Sequence, residues 1–225
     1  ILIRATEAND SMCRILTRCI RMKPEERPTI DEIENSDALN SLQIKVYKYL
    51  DSILTKSQAE KFNFFKSLLQ SLNIFSPRML RFKFLPIFMN ETLSDGRFAP
   101  VTIPLIVQIG SNFDRREFMN QIYQPLSHLM TLTKPPEITL AIFSVMKILI
   151  DRIESDRHID FIYPIYNAAF QSTEPRLHSA AVTYLPLIIK TLTTHSLKMT
   201  VIPKLNEFLK TQQNPTTISD CIISL

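Results

Sequence analysis

Basic and aromatic residues alternate in one short stretch of the chain, "SPRMLRFKF" at residues 76–84. Arg78 and Arg81 are three residues apart, so a helix would place them on one face, with Lys83 close by. Guanidinium and ammonium groups gathered in this way can bind a phosphate or a carboxylate. The stretch therefore predicts either a contact for a phosphoinositide head group or an acidic peptide, or an ordinary solvated helix face whose phenylalanines turn to the core. We favour the second interpretation.

Residue patterns for catalysis or metal binding are missing from the sequence. Neither H-R-D nor D-F-G occurs, and Gly96 and Gly110 are too far apart to form a loop that cradles phosphates. Cys13 and Cys19 lie six residues apart, which is wrong for a zinc pair, and the four histidines have no ligand partner at metal-binding spacing. We expect no enzyme activity from this chain, and no metal, cofactor or small-molecule substrate.

The composition is that of a globular protein, with 45% hydrophobic and 21% charged residues among 225. Two glycines against 14 prolines suit helices joined by proline-marked turns. The net charge of +4 is thinly spread and predicts no nucleic-acid partner. Three cysteines give no disulfide framework and favour a reducing, cytoplasmic environment, and no apolar run reaches the ~20 residues of a membrane span.

Four prolines recur at intervals of 39 residues, at positions 86, 125, 164 and 203. The residues two positions before each proline are apolar, and so are most of those two positions after it, which places both on one helix face. Further prolines begin a second apolar-periodic stretch in each unit, as expected at the first turn of a helix. These are Pro100, Pro135 with Pro136, Pro175 and Pro215.

Each unit therefore reads as helix, turn, helix, with the period of HEAT-type, armadillo-like repeats. One more pair precedes the first unit, and Ser57-x-x-Glu60 predicts a capping box at the start of its second helix. We predict an all-α fold in which residues 41–225 form a HEAT-type α-solenoid of about four and a half pairs. The alternative is a non-repetitive helical domain with chance proline spacing. Because the last unit has no polar cap, we expect the natural protein to continue.

The N-terminal segment has a different pattern. One helix face there gathers apolar residues, and a turn follows at Pro24. Arg27-Pro28 then precedes a second predicted capping box, Thr29-x-x-Glu32. The apolar residues of the face are Met12, Ile15, Leu16, Cys19 and Ile20.

The stretch "RMKPEERPTIDEI" at 21–33 resembles the end of the larger lobe of the protein kinase fold. The resemblance implies that Arg27 pairs with a buried glutamate at the end of the activation segment, which would lie before Ile1. The alternative is an ordinary helix pair that caps the solenoid. We assign residues 1–40 to the last helices of a protein-kinase-like C-lobe, and we expect the chain to be a piece of a longer protein.

A kinase ending followed by HEAT-type pairs is similar to the SCY-one-like pseudokinases, and most to the branch called coated-vesicle-associated kinase. The residues that carry this are Phe64-Phe65-Lys66, "FSPRMLRFKFLP" at 75–86, Glu91, "FAPVTIPLI" at 98–106 and "EFMNQIYQPL" at 117–126.

The resemblance implies a non-catalytic scaffold in clathrin-dependent traffic, cytoplasmic and peripheral on Golgi, endosomes or coated vesicles. Its partners would be vesicle-coat or adaptor proteins bound by the solenoid surface, with a peripheral contact to anionic membranes. The rival hypotheses are a general HEAT-repeat scaffold, of the phosphatase-subunit or transport-receptor type, and the regulatory solenoid of an active Ser/Thr protein kinase.

Overall fold

The regular elements of the chain are all helical wherever the structure describes it. This computed structural model describes residues 10–130, 134–154 and 157–211. The α-helices are α1 (Asp10–Cys19), α2 (Ile30–Glu34), α3 (Leu42–Asp51), α4 (Gln58–Leu68), α5 (Pro77–Met79), α6 (Leu85–Ser94), α7 (Ala99–Gly110), α8 (Arg115–Phe118), α9 (Gln124–Met130), α10 (Pro136–Ser144), α11 (Met146–Arg152), α12 (His158–Gln171), α13 (Pro175–Thr191), α14 (Thr194–Ser196) and α15 (Ile202–Thr211). The prediction of an all-α fold is confirmed.

Shorter helical segments complete these elements. The 3-10 turns are Pro24–Glu26, Ile53–Thr55, Leu72–Ile74 and Gly96–Phe98. The π-helical segments are π1 (Leu80–Phe84), π2 (Met119–Tyr123) and π3 (Leu197–Val201).

Two compact units divide the chain, one up to Lys61 and the other from Phe62 onward. The boundary lies inside α4, later than the boundary after residue 40 that the sequence suggested. The predicted boundary after residue 40 marks where the kinase-like sequence pattern ends, and not where one compact unit ends. It therefore stays a prediction.

The first unit begins with the amphipathic helix α1. Four of its five predicted face residues are half-buried, and the fifth, Ile20, is 77% exposed. Ile20 was wrongly placed on this face, because α1 ends at Cys19 and the chain turns away from the helix axis. The C-terminal turn of α1 is tied to α2 by an ion pair of 2.8 Å between Arg18 and Glu32.

Both predicted capping boxes are present. Thr29 Oγ1 accepts from the Glu32 N–H at 3.2 Å, and Glu32 Oε2 accepts from the Thr29 N–H at 3.2 Å. The second box has the same reciprocal pattern, with Ser57 Oγ accepting at 3.3 Å and Glu60 Oε2 at 2.9 Å. Each box satisfies two N–H groups that the first helical turn leaves without an intrahelical acceptor.

The second unit shows why the first prolines recur. Pro86, Pro125 and Pro203 are the second residues of α6, α9 and α15, and each helix directly follows a π-helical segment. Proline donates no hydrogen bond, and its ring clashes with the carbonyl four residues earlier. A π-turn bonds five residues apart, as from the Leu85 N–H to Leu80 O, and widens the backbone just before the ring. Pro164 lies inside α12 without such a segment.

The second set of prolines begins the second helix of each pair, as predicted. Pro100 is the second residue of α7, and Pro136 and Pro175 are the first residues of α10 and α13. Pro215, with its predicted Asn214 cap, lies outside the described residues.

Successive helical pairs pack on one another in chain order. Helix α7 packs on α6 within its pair and on α10 of the next pair, α10 packs on α13, and α12 packs on α13 and α15. The core runs through α7, where Ile103, Leu105, Ile106 and Val107 are fully buried. Each such side chain contributes about 1.5–3 kcal/mol by leaving water. Each pair thus completes its core with its neighbours.

Candidate functional site: the inter-repeat edge

The loop after α7 is held by an arginine from the next repeat. Arg152 Nη1 donates to Phe113 O at 2.8 Å, and its Nη2 donates to Ser111 O at 2.7 Å. The last carbonyls of a helix have no intrahelical donors and carry partial negative charge, so a cation there is stabilising. Arg152 therefore fixes the C-terminal end of α7 against the following helical pair.

A second arginine, Arg81, contacts the repeat that follows it in the chain, whereas Arg152 contacts the repeat that precedes it. Arg81 Nη2 donates to Glu117 Oε1 at 2.6 Å and Nη1 to Oε2 at 3.4 Å, which makes a two-point ion pair. The guanidinium carbon lies 4.7 Å from the Phe113 ring centre and 5.5 Å from that of Phe82. Ion pairing and cation–π contact hold the planar group in one orientation.

The first turn of α8 lies between these two contacts. Asp114 caps it by accepting from the Glu117 N–H at 2.8 Å, and Arg115 Nε donates to Asp151 O at 3.2 Å. The hydrogen bonds between repeats at this edge join residues 36 to 41 apart, about one repeat period. We define the inter-repeat edge as Arg78, Arg81, the loop 111–114, Arg115, Arg116 and Arg152.

The structure separates the three basic residues that the sequence grouped. Arg78 is exposed, Arg81 is half-buried in its ion pair, and Lys83 is half-buried with an intramolecular partner of its own. Arg78 and Arg81 meet at a cleft of about 240 Å³, which Lys83 does not line. The cleft is lined by Pro77, Arg78, Leu80, Arg81, Ile109, Asn112 and Phe113.

The expectation that both phenylalanines of this stretch turn to the core is wrong for Phe82. Phe84 is fully buried, whereas Phe82 is 69% exposed. Two consecutive steps along a helix rotate a side chain by about 200°, so residues two apart face opposite sides. The stretch is therefore not a plain solvated face, because an aromatic ring lies on it.

Sequence reasoning missed the partners of this site, Glu117, Arg115 and Arg152. A signal for the first was present, since Glu117 follows Arg78 by one period of 39 residues. It is therefore the next repeat's equivalent of Arg78, and stacking of repeats brings it to Arg81. No comparable signal identifies Arg152, because its acceptors are backbone carbonyls.

Arg27 is exposed in the first unit, where its Nε donates to Arg21 O at 2.9 Å. It fixes the turn between α1 and α2. The glutamate partner implied by the kinase resemblance would lie outside this chain, so that pairing stays a prediction.

Buried and half-buried titratable groups in the second unit lie within hydrogen-bond distance of backbone carbonyl oxygens. His158 Nε2 lies 3.1 Å from Ile153 O and His178 Nε2 lies 2.7 Å from Ser172 O. Burial raises the pKa of Tyr166, whose hydroxyl donates to Ala181 O at 3.0 Å. Among the described residues no cluster of side chains could hold a metal ion, and no helix is long and apolar enough to cross a membrane.

Comparison with known proteins gives relatives along most of the chain. A fission yeast protein, "Protein kinase domain-containing protein ppk32", is 23% identical over 199 residues, covering 88% of this chain and 26% of that protein. Budding yeast "Protein kinase-like protein SCY1" is 23% identical over 205 residues, 84% of this chain and 25% of its own. Human "SCY1-like protein 2" is 19% identical over 204 residues, covering 90% of this chain and 22% of that protein. The chain is therefore similar to SCY1-like and other kinase-like proteins.

The chain spans about a quarter of the length of these relatives. No family model and no solved structure matches it. The family resemblance predicted from the kinase-like ending and the repeats is confirmed. The similarity extends through both compact units, so it does not rest on the kinase-like ending alone.

Proposed function

We propose that this SCY1-like chain is the helical-repeat part of a non-catalytic, kinase-like scaffold in clathrin-dependent traffic between Golgi and endosomes. The observation that carries the proposal is the match to SCY1-like relatives over 84–90% of the chain. Helical pairs that each complete their core with their neighbours support it, because such arrays bind proteins through extended surfaces.

The chemistry of the chain supports a non-catalytic role. Phosphoryl transfer needs a glycine-rich loop, a phosphate-binding lysine, a catalytic aspartate and a metal-binding aspartate. The sequence contains none of the corresponding motifs. Gly96 lies in a 3-10 turn, and Gly110 is buried at the end of α7.

The partners in this proposal are vesicle-coat or adaptor proteins, as in the coated-vesicle-associated branch. The protein would then be cytoplasmic and peripheral on Golgi, endosomes or coated vesicles. A general HEAT scaffold of the phosphatase-subunit or transport-receptor type is less favoured, because the relatives carry kinase-like names.

The test uses the whole natural protein that contains this segment, expressed with a tag in its own cells. Purified clathrin-coated vesicles should contain the tagged protein, and deletion of residues 62–211 should remove most of it. A second variant, with only surface charges of the second unit reversed, guards against loss through misfolding. Absence of the intact protein from coated vesicles would overturn the proposal.

A regulatory segment of an active protein kinase is the second candidate, favoured by the name of the fission yeast relative. It predicts an intact lysine, catalytic aspartate and D-F-G in the natural sequence before Ile1, and phosphate transfer from ATP by the whole protein. The scaffold proposal predicts that at least one of these residues is replaced and that the purified protein transfers no phosphate.

A further inference from the structure

The inter-repeat edge has more positive than negative side chains. It carries five arginines, at 78, 81, 115, 116 and 152, and three carboxylates lie beside them, at 114, 117 and 151. Arg81 is paired with Glu117, and Arg152 Nε lies 3.3 Å from Asp151 Oδ2, although without hydrogen-bond alignment. Among the described residues, neither Arg78 nor Arg116 has an ion-pair partner. Two exposed guanidinium groups therefore remain for an external anion.

Local stability does not explain these two residues. Arg78 and Arg116 both lie in the first turn of a helical run, where the backbone N–H groups give partial positive charge. A cation at this end of a helix is unfavourable, whereas an acidic residue would be stabilising. Their position points to a role outside the fold.

The surroundings of Arg78 are held in a fixed geometry. Arg81, clamped by Glu117 and Phe113, forms one wall of the cleft, and the exposed Asn112 adds an amide donor. Phe82 lies beside Arg81 and is 69% exposed, so it offers an apolar contact next to the donors. A rigid donor set with an adjacent aromatic ring lowers the entropy lost on binding.

We propose that the inter-repeat edge binds an acidic protein segment, with carboxylates on Arg78 and Arg116 and an apolar side chain against Phe82. Arginine's planar fork suits carboxylates. A flexible peptide can place its charges on these two residues and avoid Asp114, Glu117 and Asp151. An anionic membrane cannot do so, and each basic residue there contributes only about 1 kcal/mol, which the interleaved carboxylates offset.

The proposal names the partner chemistry of the proposed scaffold surface, but its test is independent of vesicle traffic. Fluorescence anisotropy measures binding of the full chain to a short fluorescein-labelled peptide of glutamate and leucine. The double variant Arg78→Glu, Arg116→Glu should bind about tenfold or more weakly. The control Lys147→Glu, Lys190→Glu reverses the same number of exposed charges on α11 and α13 and should change binding less than about twofold.

Two further measurements distinguish loss of the proposed contact from loss of folding. Phe82→Ala should weaken binding severalfold, and circular dichroism should show unchanged folding in every variant, because none of the substituted side chains is buried. Equal loss in the two double variants, or no binding of the peptide, overturns the proposal. So does sedimentation with phosphatidylserine vesicles that depends on Arg78 and Arg116 while the peptide is not bound.

Discussion

Arg78 and Arg81 show how two residues of one type, three positions apart, take different roles. Arg81 meets a carboxylate and an aromatic ring from the following repeat, so its charge is used within the fold. Arg78 reaches the same cleft without such a partner among the described residues. The difference comes from the repeat register, because the next repeat has glutamate at the position equivalent to Arg78.

The Arg81–Glu117 pair should have a measurable coupling energy. Both side chains are about one third exposed, at 33% and 34%, so solvent screens the pair in part. A double-mutant cycle with Arg81→Met and Glu117→Gln, followed by urea unfolding, should give a coupling of about 1 kcal/mol. The control cycle, Arg176→Met with Glu174→Gln, concerns a more exposed pair and should give a smaller coupling energy. Equal coupling energies in the two cycles would contradict the inference that Glu117 holds Arg81 in place.

The pKa of Glu60, the capping carboxylate of α4, should lie below its ordinary value. Hydrogen bonds from the Ser57 hydroxyl and then the Ser57 N–H hold the pKa of Glu60 below its ordinary value of 4.5. The cap therefore stabilises the folded state fully above pH 4.5, and this contribution is lost as the pH falls through the lowered value. A carboxyl ¹³C NMR titration should give a midpoint below 4.5 that moves upward in Ser57→Ala. Identical midpoints in the two proteins would refute the cap as the cause.

At the scale of elements, the close contact between α7 and the π2 segment depends on a missing side chain. A Cβ on Gly110 would overlap Ile122 Cδ1 and come within 2.9 Å of Phe118 Cδ2, and both of these side chains are fully buried. Gly110→Ala should therefore lower the free energy of unfolding by about 1–3 kcal/mol, because the core cannot expand without strain.

Gly96→Ala is the matched control for that substitution. Its added Cβ would lie 3.8 Å from the nearest atom, Leu129 Cδ2, which is ordinary contact. We expect no loss of stability, and a gain of up to about 1 kcal/mol from the stiffer unfolded chain. Thermal and urea unfolding check both variants, and a stable Gly110→Ala protein would show that the two helices can separate at little cost.

The elements of the second unit were predictable because their signals are local. Proline spacing and apolar faces predicted which segments form helices and where the second helix of each pair begins. The π-turns before Pro86, Pro125 and Pro203 were not predictable, since a proline at the second position of a helix ordinarily needs no such turn. The ion pairs of the candidate site depend on how neighbouring repeats align with one another. Neither helix propensity nor the periodicity within one helix specifies that alignment.

At the scale of the molecule, the two compact units differ in how much side-chain surface they bury. The buried side chains in the described part of the first unit are Ala38, Val46, Leu50 and Ile53, whereas Ile20, Met22 and Ile30 are 77%, 92% and 81% exposed. The second unit contains the long run of buried residues from Phe65 to Leu205. Folding free energy that scales with buried apolar area must therefore reside mainly in the second unit.

This difference predicts how the chain responds to cutting. Trypsin under native conditions should cleave first after Arg18 and Arg21, which are exposed at and just after the end of α1. A fragment of residues 57–225, which keeps α4 with its cap, should retain a cooperative thermal transition within a few degrees of that of the whole chain. A fragment of residues 1–56 should have little helical signal, because short helices without a core are marginal in water. Loss of the cooperative transition in 57–225 would mean that the second unit does not contain enough buried surface to fold alone.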